Sequence, residues 1–351
     1  QGQNEIIKML KDLVEASRSL LSIIQKSFPL EERPFAALAE QTGLREEEAL
    51  SHVQALKEKG LIVEISGIFN TPALGYKTTL VAMKVPPAKL DEAAGIISLH
   101  PGVGHNYGRE NTYNLWFTLS IPREKDLARE VKGMQNRAGA ISSLILPSLH
   151  LFKIGVFIEP GKHGEDAHME GLNSEESDFS FNGHISPDEI TVVRGLQKDL
   201  SLELNLEPFK HMAKSSGMEE KLFLKLAKGL LEKKILRRYA AQLPHRKMGF
   251  TFNAMICWKV PEERKMETGK ALASSPWVTH CYERPTYEDW PYNLYSMVHG
   301  KTREECQEKA RALSHQVAIE QHILLFSPKE YKKVRVKYFL EYQNCQKETE
   351  Y

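Results

Sequence analysis

The chain is poor in cysteine and contains no long apolar segment. Its four cysteines, Cys257, Cys281, Cys306 and Cys345, are scattered and show no C-x-x-C spacing. This pattern excludes a cysteine zinc site and a disulfide framework, and it is typical of proteins in a reducing compartment. No apolar run approaches the length of a membrane span, and the first residues contain no signal-peptide core. We therefore expect a cytoplasmic protein that does not interact with a membrane.

An excess of charge of either sign is also missing. Lys and Arg together number 47, and Asp and Glu together number 46. Such a balance provides no general attraction to nucleic acid or to an anionic membrane surface. The length of 351 residues corresponds to two or more domains of ordinary size. Composition thus bounds the class of protein, and function has to be sought in local motifs.

One motif occurs twice. Residues 101–109 read PGVGHNYGR and residues 276–284 read PWVTHCYER, so both fit P-x-V-x-H-x-Y-x-R. Further matches join positions 34 and 208, and 43 and 217, both 174 residues apart, whereas the motif histidines are 175 apart. The Asn-Leu pairs that follow are 179 apart, because a few residues are inserted in the second half. The chain is therefore predicted to be a tandem duplication.

Each copy predicts the same order of elements. A helix–turn–helix with a following strand, the winged-helix plan, precedes a βαββαβ order that is typical of ferredoxin-like domains. The predicted fold class is α+β, a tandem duplication of winged helix-turn-helix plus ferredoxin-like βαββαβ domains. The predicted boundaries are 1–75 for the N-terminal helix and first winged helix, 76–159 for the first ferredoxin-like domain, 160–187 for a linker rich in Gly, Ser and acidic residues, 188–249 for the second winged helix, 250–340 for the second ferredoxin-like domain, and 341–351 for a tail.

The repeated motif places three polar side chains at alternate positions of a predicted strand. Residues i, i+2 and i+4 of a strand point to one face. The residues predicted to share a face are His105, Tyr107 and Arg109 in copy one, and His280, Tyr282 and Arg284 in copy two. An imidazole, a phenol and a guanidinium presented together suit a large, flat, acidic ligand.

These motifs resemble those of a known family. The domain order is similar to that of the Lrp/AsnC regulators, and the strings HNYGRE, YNLWFTL, RRYAAQLPHRKMGF, HCYERP and WPYNLYSMVHG resemble the siroheme decarboxylases of that superfamily. The resemblance implies loss of carbon dioxide from two acetate side chains of siroheme, giving 12,18-didecarboxysiroheme in heme or heme d1 biosynthesis. It also implies that two subunits, separate in related enzymes, are fused here as an internal pseudo-dimer. A further homodimer is left open.

The resemblance and the chemistry together select candidate site residues. The catalytic candidates are His245, His280, His105 and Tyr282, since histidine titrates near neutral pH and a tyrosine can relay a proton. The substrate-binding candidates supply cations for carboxylates or aromatic rings for a macrocycle, and they are Arg237, Arg238, Arg246, Lys247, Arg284, Tyr107, Arg109, Trp290, Tyr292 and His299, with Tyr239 and Tyr295 as further aromatic candidates.

The expected ligand is the iron tetrapyrrole itself. The substrate ring takes up the electrons, so neither a separate cofactor nor a protein-bound metal is expected, although a heme-like product can co-purify. His245 or His280 is a candidate axial ligand to the substrate iron. The structural alternative is that the strand histidines only make hydrogen bonds, and that Arg109 and Arg284 pair with Glu110 and Glu283.

The two copies differ in charge at the wing. Val63-Glu64 stand where copy two has Arg237-Arg238, and Thr71-Pro72 stand opposite His245-Arg246. A carboxylate at Glu64 would repel an acidic ligand. We therefore hypothesise that copy two holds the main substrate site, and that His105, Tyr107 and Arg109 line a second site or reach the first across the domain interface.

Two other function classes remain as alternatives. The winged helices also fit a DNA-binding regulator, but the first recognition helix begins LREEEALSHVQ, and its three glutamates oppose the DNA backbone. Binding to nucleic acid is therefore not expected. A non-catalytic heme or siroheme carrier would need the same pocket without turnover, and only the family resemblance separates it from an enzyme.

Overall fold

The computed structural model describes residues 15–154, 185–203, 205–243 and 252–340. The chain divides into two compact units, and each contains segments of both copies. The first, the winged-helix unit, comprises Ser19–Leu74, Phe181–Leu243 and Arg335–Tyr351. The second, the sheet unit, comprises Gln1–Arg18, Gly75–Ser180 and Pro244–Val334. Helices and strands follow in the predicted order, so the α+β fold class with tandem copies is confirmed.

The elements of both copies run in the same order. Copy one contains α1 (Glu15–Lys26), α2 (Pro34–Thr42), α3 (Glu46–Glu58), β1 (Glu64–Phe69), β2 (Tyr76–Lys84), α4 (Leu90–Leu99), β3 (Val103–Gly108), β4 (Leu115–Pro122), α5 (Leu127–Arg137), β5 (Ser142–Leu146) and β6 (His150–Ile154). Copy two contains α6 (Pro187–Leu196), α7 (Pro208–Ser215), α8 (Glu220–Glu232), β7 (Leu236–Gln242), β8 (Phe252–Trp258), α9 (Lys265–Ser274), β9 (Val278–Glu283), β10 (Leu294–Gly300), α10 (Arg303–Val317), β11 (His322–Phe326) and β12 (Lys329–Lys333).

In the winged-helix unit the two wing strands form one sheet. Strands β1 and β7 pair antiparallel, with Glu64 opposite Gln242. The turns after α2 and α7 end at Gly43 and Gly217, whose φ angles are 71° and 69°. This left-handed conformation favours glycine, which explains why both copies have glycine there. The copies thus share a sheet as well as a local plan.

The sheet unit contains two five-stranded sheets, and the copies exchange a strand between them. The sheet orders are β12-β3-β4-β2-β5 and β11-β8-β10-β9-β6. Strand β6 belongs to copy one but pairs antiparallel with β9, while β12 belongs to copy two but pairs with β3. The sequence did not predict these two strands. They cover an edge of each sheet that would otherwise offer unpaired backbone groups.

Three apolar clusters stabilise the sheet unit. One lies between each sheet and its own helices, around Val81 and Phe117 in copy one and around Ile256 and Leu313 in copy two. The third combines side chains from both sheets, and its buried members are Ala82, Tyr113, Trp116, Leu144, Leu146, Met255, Cys257, Trp290, Tyr295 and Leu325. The faces opposite the helices therefore pack on each other, as expected for the internal pseudo-dimer that the family resemblance implied.

The repeated Asn-Leu pair has a structural cause. The Asn114 side chain accepts a hydrogen bond from the Val85 backbone N–H at 2.9 Å and donates one to the Val85 carbonyl at 2.8 Å. Asn293 makes the same two bonds to Val260, at 3.0 and 2.8 Å. Each asparagine thus ties the start of a strand to the end of its neighbour.

None of the helices within the described residues is long and apolar enough to span a membrane.

Candidate functional site

In copy two, the His-x-Tyr-x-Arg motif forms a column on one face of β9. The His280 and Tyr282 rings are stacked, with centroids 6.3 Å apart and planes 19° apart. The Arg284 guanidinium carbon lies 4.8 Å from the centre of the Tyr282 ring. Cys281, between the two rings in sequence, is buried in the helix-side cluster. Burial raises the pKa of Tyr282, so this phenol keeps its proton at neutral pH.

Copy one contains the matching column on β3. The His105 and Tyr107 rings are 6.2 Å apart and within 9° of parallel, and the Arg109 guanidinium carbon lies 5.8 Å from the Tyr107 ring centre. Burial, together with the smaller effect of the positive charge of Lys333, lowers the pKa of His105 to about 4. At neutral pH this imidazole is therefore uncharged.

The two motif arginines reach across to the other copy. Arg109 Nη1 donates a hydrogen bond to the Leu325 carbonyl on β11 at 2.7 Å. Arg284 Nη1 donates to the Leu146 carbonyl on β5. Burial lowers the pKa of Arg109 to about 10 and also lowers that of Arg284. The Nε atom of each is buried and has no hydrogen-bond partner within the described part of the chain, so each retains an unused donor.

The alternative pairing of these arginines with neighbouring glutamates is wrong. Glu110 pairs with Arg303, with an N–O distance of 2.6 Å, and Glu283 pairs with Lys265, at 2.5 Å. Arg109 and Arg284, each one residue beyond the end of its strand, instead contact the tyrosine of their own motif and a backbone carbonyl of the other copy. Each motif arginine therefore forms a hydrogen bond that connects the two sheets, and this role is independent of any ligand.

A threonine that the sequence did not single out connects two of the candidate histidines. Thr279 Oγ1 lies 2.9 Å from His280 Nδ1 and 3.0 Å from His299 Nε2. Thr279 is an extra residue in the pairing of β9 with β10, since Met297 lies opposite His280 and Val298 opposite Val278. Such a β-bulge re-aims side chains, which explains how successive residues 279 and 280 touch on one face.

The aromatic candidates of copy two are mostly packed against protein. Trp290 is 3% exposed, its ring centroid is 5.5 Å from that of Trp116, and its indole N–H donates to the Tyr295 hydroxyl at 2.8 Å. In the winged-helix unit, Tyr239 is 1% exposed and its ring packs edge-on against Phe209. These contacts favour a packing role for Trp290, Tyr295 and Tyr239. Tyr292 is only partly buried, and stacking on a macrocycle stays a prediction for it.

The predicted cationic stretch is partly described. Arg237 is exposed and Arg238 is half-buried, both on β7 in the winged-helix unit. Burial lowers the pKa of Arg238, and the neighbouring Arg237 lowers it further. The other three cationic candidates, His245, Arg246 and Lys247, lie outside the described residues.

The negative charge of Glu64, on the wing strand of copy one, is paired with a nearby arginine. Arg335 Nη1 lies 3.3 Å from Glu64 Oε1 and donates to the Ser66 hydroxyl at 2.6 Å. The sequence context suggested that Glu64 is an isolated negative charge on the wing sheet. In the structure its charge is instead paired with that of Arg335. Arg335 comes from the segment after β12, so a cation distant in sequence joins Arg238 near the paired wings.

Comparison with known proteins agrees with this architecture. Residues 73–153 and 247–332 match the AsnC-like ligand binding domain, and residues 17–62 match the siroheme decarboxylase NirDL-like HTH domain. The siroheme decarboxylase of Hydrogenobacter thermophilus is 38% identical over 323 residues, which are 92% of this chain and 94% of that protein.

A solved structure and a shorter relative extend the comparison. The crystal structure of the siroheme decarboxylase NirDL in co-complex with an iron-uroporphyrin III analogue superposes with a TM-score of 0.73 at 34% identity, covering 92% of this chain and 94% of that one. The siroheme decarboxylase beta subunit of Methanosarcina barkeri is 44% identical over 130 residues, 37% of this chain and 86% of that subunit. Similarity along almost the whole length shows that the chain belongs to the siroheme decarboxylase family.

Proposed function

We propose that this chain decarboxylates siroheme, removing carbon dioxide from two of its acetate side chains. The observation that carries the proposal is the duplicated His-Tyr-Arg column, held in a fold that also binds an iron-uroporphyrin III analogue in a protein 34% identical to this one. Each column combines a proton-carrying ring with a buried cation. A carboxylate-rich macrocycle needs both kinds of group.

The chemistry that the protein must supply is limited. In each decarboxylation the bond between the methylene carbon and the carboxylate breaks, carbon dioxide leaves, and the bonding electrons stay with the tetrapyrrole. The methylene carbon then takes a proton and becomes a methyl group. The substrate ring stabilises the electrons, so the protein's tasks are to orient the acetate, exclude water and deliver one proton.

We assign proton delivery to His280 rather than His105. A general acid works best when its pKa is near the working pH. His105 has a pKa of about 4, so at neutral pH only a very small fraction of it carries the proton that it would have to donate. Tyr282 stacks on His280 and keeps its own proton, which suits it to relay or to orient the acetate. Copy two is therefore the proposed main catalytic copy.

Carboxylate binding is assigned to the cations of copy two. Arg237 and Arg238 lie on its wing strand, and His245, Arg246 and Lys247 follow in sequence. An arginine binds a carboxylate through two parallel hydrogen bonds, so a few arginines can hold a molecule that carries many carboxylates. Within the sheet unit, Arg284 is a separate candidate, since its guanidinium carbon lies 4.8 Å from the centre of the Tyr282 ring and its Nε has no hydrogen-bond partner among the described residues.

The structure gives no support to the DNA-binding alternative. The three glutamates that open α3 lie in its first turn, where the Glu48 carboxylate completes a capping box with the Arg45 backbone. Negative charge stabilises a helix N-terminus, which is a sufficient reason for these residues. The same charges oppose phosphate. If the purified chain shifted the electrophoretic mobility of random duplex DNA in a salt-dependent way, the hypothesis of a DNA-binding regulator would be favoured.

The test is anaerobic incubation of the chain with siroheme, followed by mass spectrometry of the extracted tetrapyrrole. We expect loss of two carbon dioxide units. His280→Gln should lower the rate by roughly 100-fold or more, which is the range for removing a general acid, and the matched change His105→Gln should cost less. Unchanged siroheme, with its iron verified as present and reduced, would overturn the proposal. Tight binding without product would identify a carrier.

A further inference from the structure

The bulge residue Thr279 makes more polar contacts than one hydroxyl can donate to. Its Oγ1 lies 2.9 Å from His280 Nδ1, 3.0 Å from His299 Nε2 and 3.4 Å from the Met297 carbonyl oxygen. A threonine hydroxyl has one hydrogen to donate and two lone pairs to accept with. All three contacts can be hydrogen bonds only in one way. Thr279 donates its hydroxyl hydrogen to one partner, and the other two partners each donate a hydrogen to the Thr279 oxygen.

The chemistry of the three partners decides the direction of each bond. The Met297 carbonyl can only accept, whereas a ring nitrogen of histidine can donate. The arrangement that satisfies every group has Thr279 donating to Met297, while His280 Nδ1–H and His299 Nε2–H donate to Thr279. A neutral imidazole carries one N–H, so this arrangement determines which ring nitrogen of His280 is protonated.

We propose that Thr279 is a positioning residue that holds His280 in the Nδ1–H tautomer and links it to His299. Nε2 of His280 is then the nitrogen that exchanges the proton. In the charged ring Nε2–H gives its proton to the substrate methylene as the bond to carbon dioxide breaks, and the Nδ1–H bond to Thr279 is the same before and after. The proposal deepens the proposed function and rests on it for the identity of the substrate.

The same arrangement does not exist in copy one. The position of Thr279 is taken by Gly104, and that of His299 by Ser120, which pairs with Thr78 at 2.7 Å. The nearby Thr118 hydroxyl accepts from the His105 backbone N–H at 3.1 Å instead. Both copies have a bulge beside the motif histidine, but among the described residues a hydroxyl hydrogen-bonds to the ring of this histidine in copy two alone. The difference explains why one of two similar columns is the catalytic one.

The first test measures the tautomer and needs no substrate. The chain is labelled with ¹⁵N in its histidine rings, and the His280 signals are assigned by comparison with His280→Gln. We expect the neutral ring to be protonated at Nδ1, and Thr279→Val to move its signals toward the other tautomer. A wild-type His280 that is protonated at Nε2 and not at Nδ1 would overturn the proposal, whatever the activity.

The second test separates positioning from binding. Thr279→Val should lower kcat by roughly 10- to 100-fold, as loss of an orienting partner usually does, with KM nearly unchanged because Thr279 is not assigned to the substrate. Thr279→Ser keeps the hydroxyl and should recover most of kcat. The matched control is Thr268→Val, since the buried Thr268 hydroxyl has no hydrogen-bond partner within the described residues.

The outcomes distinguish this proposal from the proposed function. If the wild type converts siroheme and Thr279→Val keeps its kcat, the positioning role is wrong and the decarboxylase stands. If the wild type leaves siroheme unchanged, the decarboxylase is wrong, and the ring-nitrogen measurement still decides the tautomer. A fall in kcat that Thr279→Ser fails to recover, with an unfolding midpoint lowered in both variants, would assign Thr279 to packing.

Discussion

His105 and His280 show how one residue type acquires different properties in two copies of a fold. Both lie at the same place in the motif and stack on a tyrosine two residues later. His105 is largely buried and faces the charge of Lys333 on β12, a strand contributed by the other copy. His280 contacts the hydroxyl of Thr279, where copy one has Gly104. A strand from the other copy therefore helps to keep the His105 imidazole uncharged at neutral pH.

The buried His105 predicts a pH dependence of stability. Its folded pKa of about 4 lies below the value of 6.5 for an exposed histidine, so the unfolded chain binds the proton first as pH falls. Stability from this residue is complete above pH 6.5 and is lost as pH falls toward 4. Between pH 7 and pH 5 the loss is about 2 kcal/mol by linkage.

The measurement is urea denaturation at both pH values. The wild type should lose more unfolding free energy between pH 7 and pH 5 than His105→Gln does, because glutamine does not titrate. The corresponding change His315→Gln, at an exposed position of α10, provides a control that retains His105. Equal losses in the wild type and His105→Gln would show that His105 does not titrate differently in the folded chain.

At the scale of elements, the repeated asparagines tie one strand end to another. Asn114 and Asn293 are each 8% exposed, and each satisfies both the N–H and the C=O of a valine backbone. Removing such a side chain leaves two buried backbone groups unpaired. Each unpaired group costs about 1–3 kcal/mol.

We therefore predict that Asn114→Ala and Asn293→Ala each lower the free energy of unfolding by about 2–4 kcal/mol. Asparagine to aspartate should also be destabilising, since a carboxylate still accepts from the valine N–H but has no hydrogen to donate to the valine carbonyl and carries a buried charge. The control Asn136→Ala changes an exposed helical residue and should have little effect. Denaturant titration checks the order, and a loss at Asn136 as large as at Asn114 would contradict the proposed tie.

Sequence periodicity predicted most elements but not all of them. The alternating strands and the apolar helices of each copy carry their pattern locally, and so does the shared face of His280, Tyr282 and Arg284. Strands β6 and β12 were missed because HLFKI and KEYKK become strands by pairing with the other copy. Thr279 was missed because strict alternation puts residues 279 and 280 on opposite faces, and a bulge is not visible in the sequence.

At the scale of the whole chain, each of the two duplicated copies contributes a strand to a sheet of the other copy. Each sheet of the sheet unit receives a strand from the other copy, and each motif arginine donates to a carbonyl of the other copy. In the winged-helix unit the two wing strands pair with each other. The copies thus share backbone hydrogen bonds in both units, in addition to the apolar cluster between the sheets. Neither copy completes its own sheets.

This exchange predicts that the covalent link between the copies can be cut without separating them. A protease recognition sequence inserted between residues 165 and 175, within the predicted linker, would allow cleavage of the folded chain. We expect the two halves to co-elute in size-exclusion chromatography, because separating them would expose strand edges and the shared apolar cluster to water.

A variant with a weakened exchange strand makes the experiment specific. Lys332→Pro removes a backbone donor from β12 where it pairs with Asn106 on β3, and a proline inside a strand is strongly unfavourable. After cleavage this variant should dissociate at a higher protein concentration than the cut parent, while both uncut chains elute as intact proteins. If the parent halves separate as readily as those of the variant, the exchanged strand β12 contributes little to holding the copies together, and the apolar cluster and the paired wings must do so.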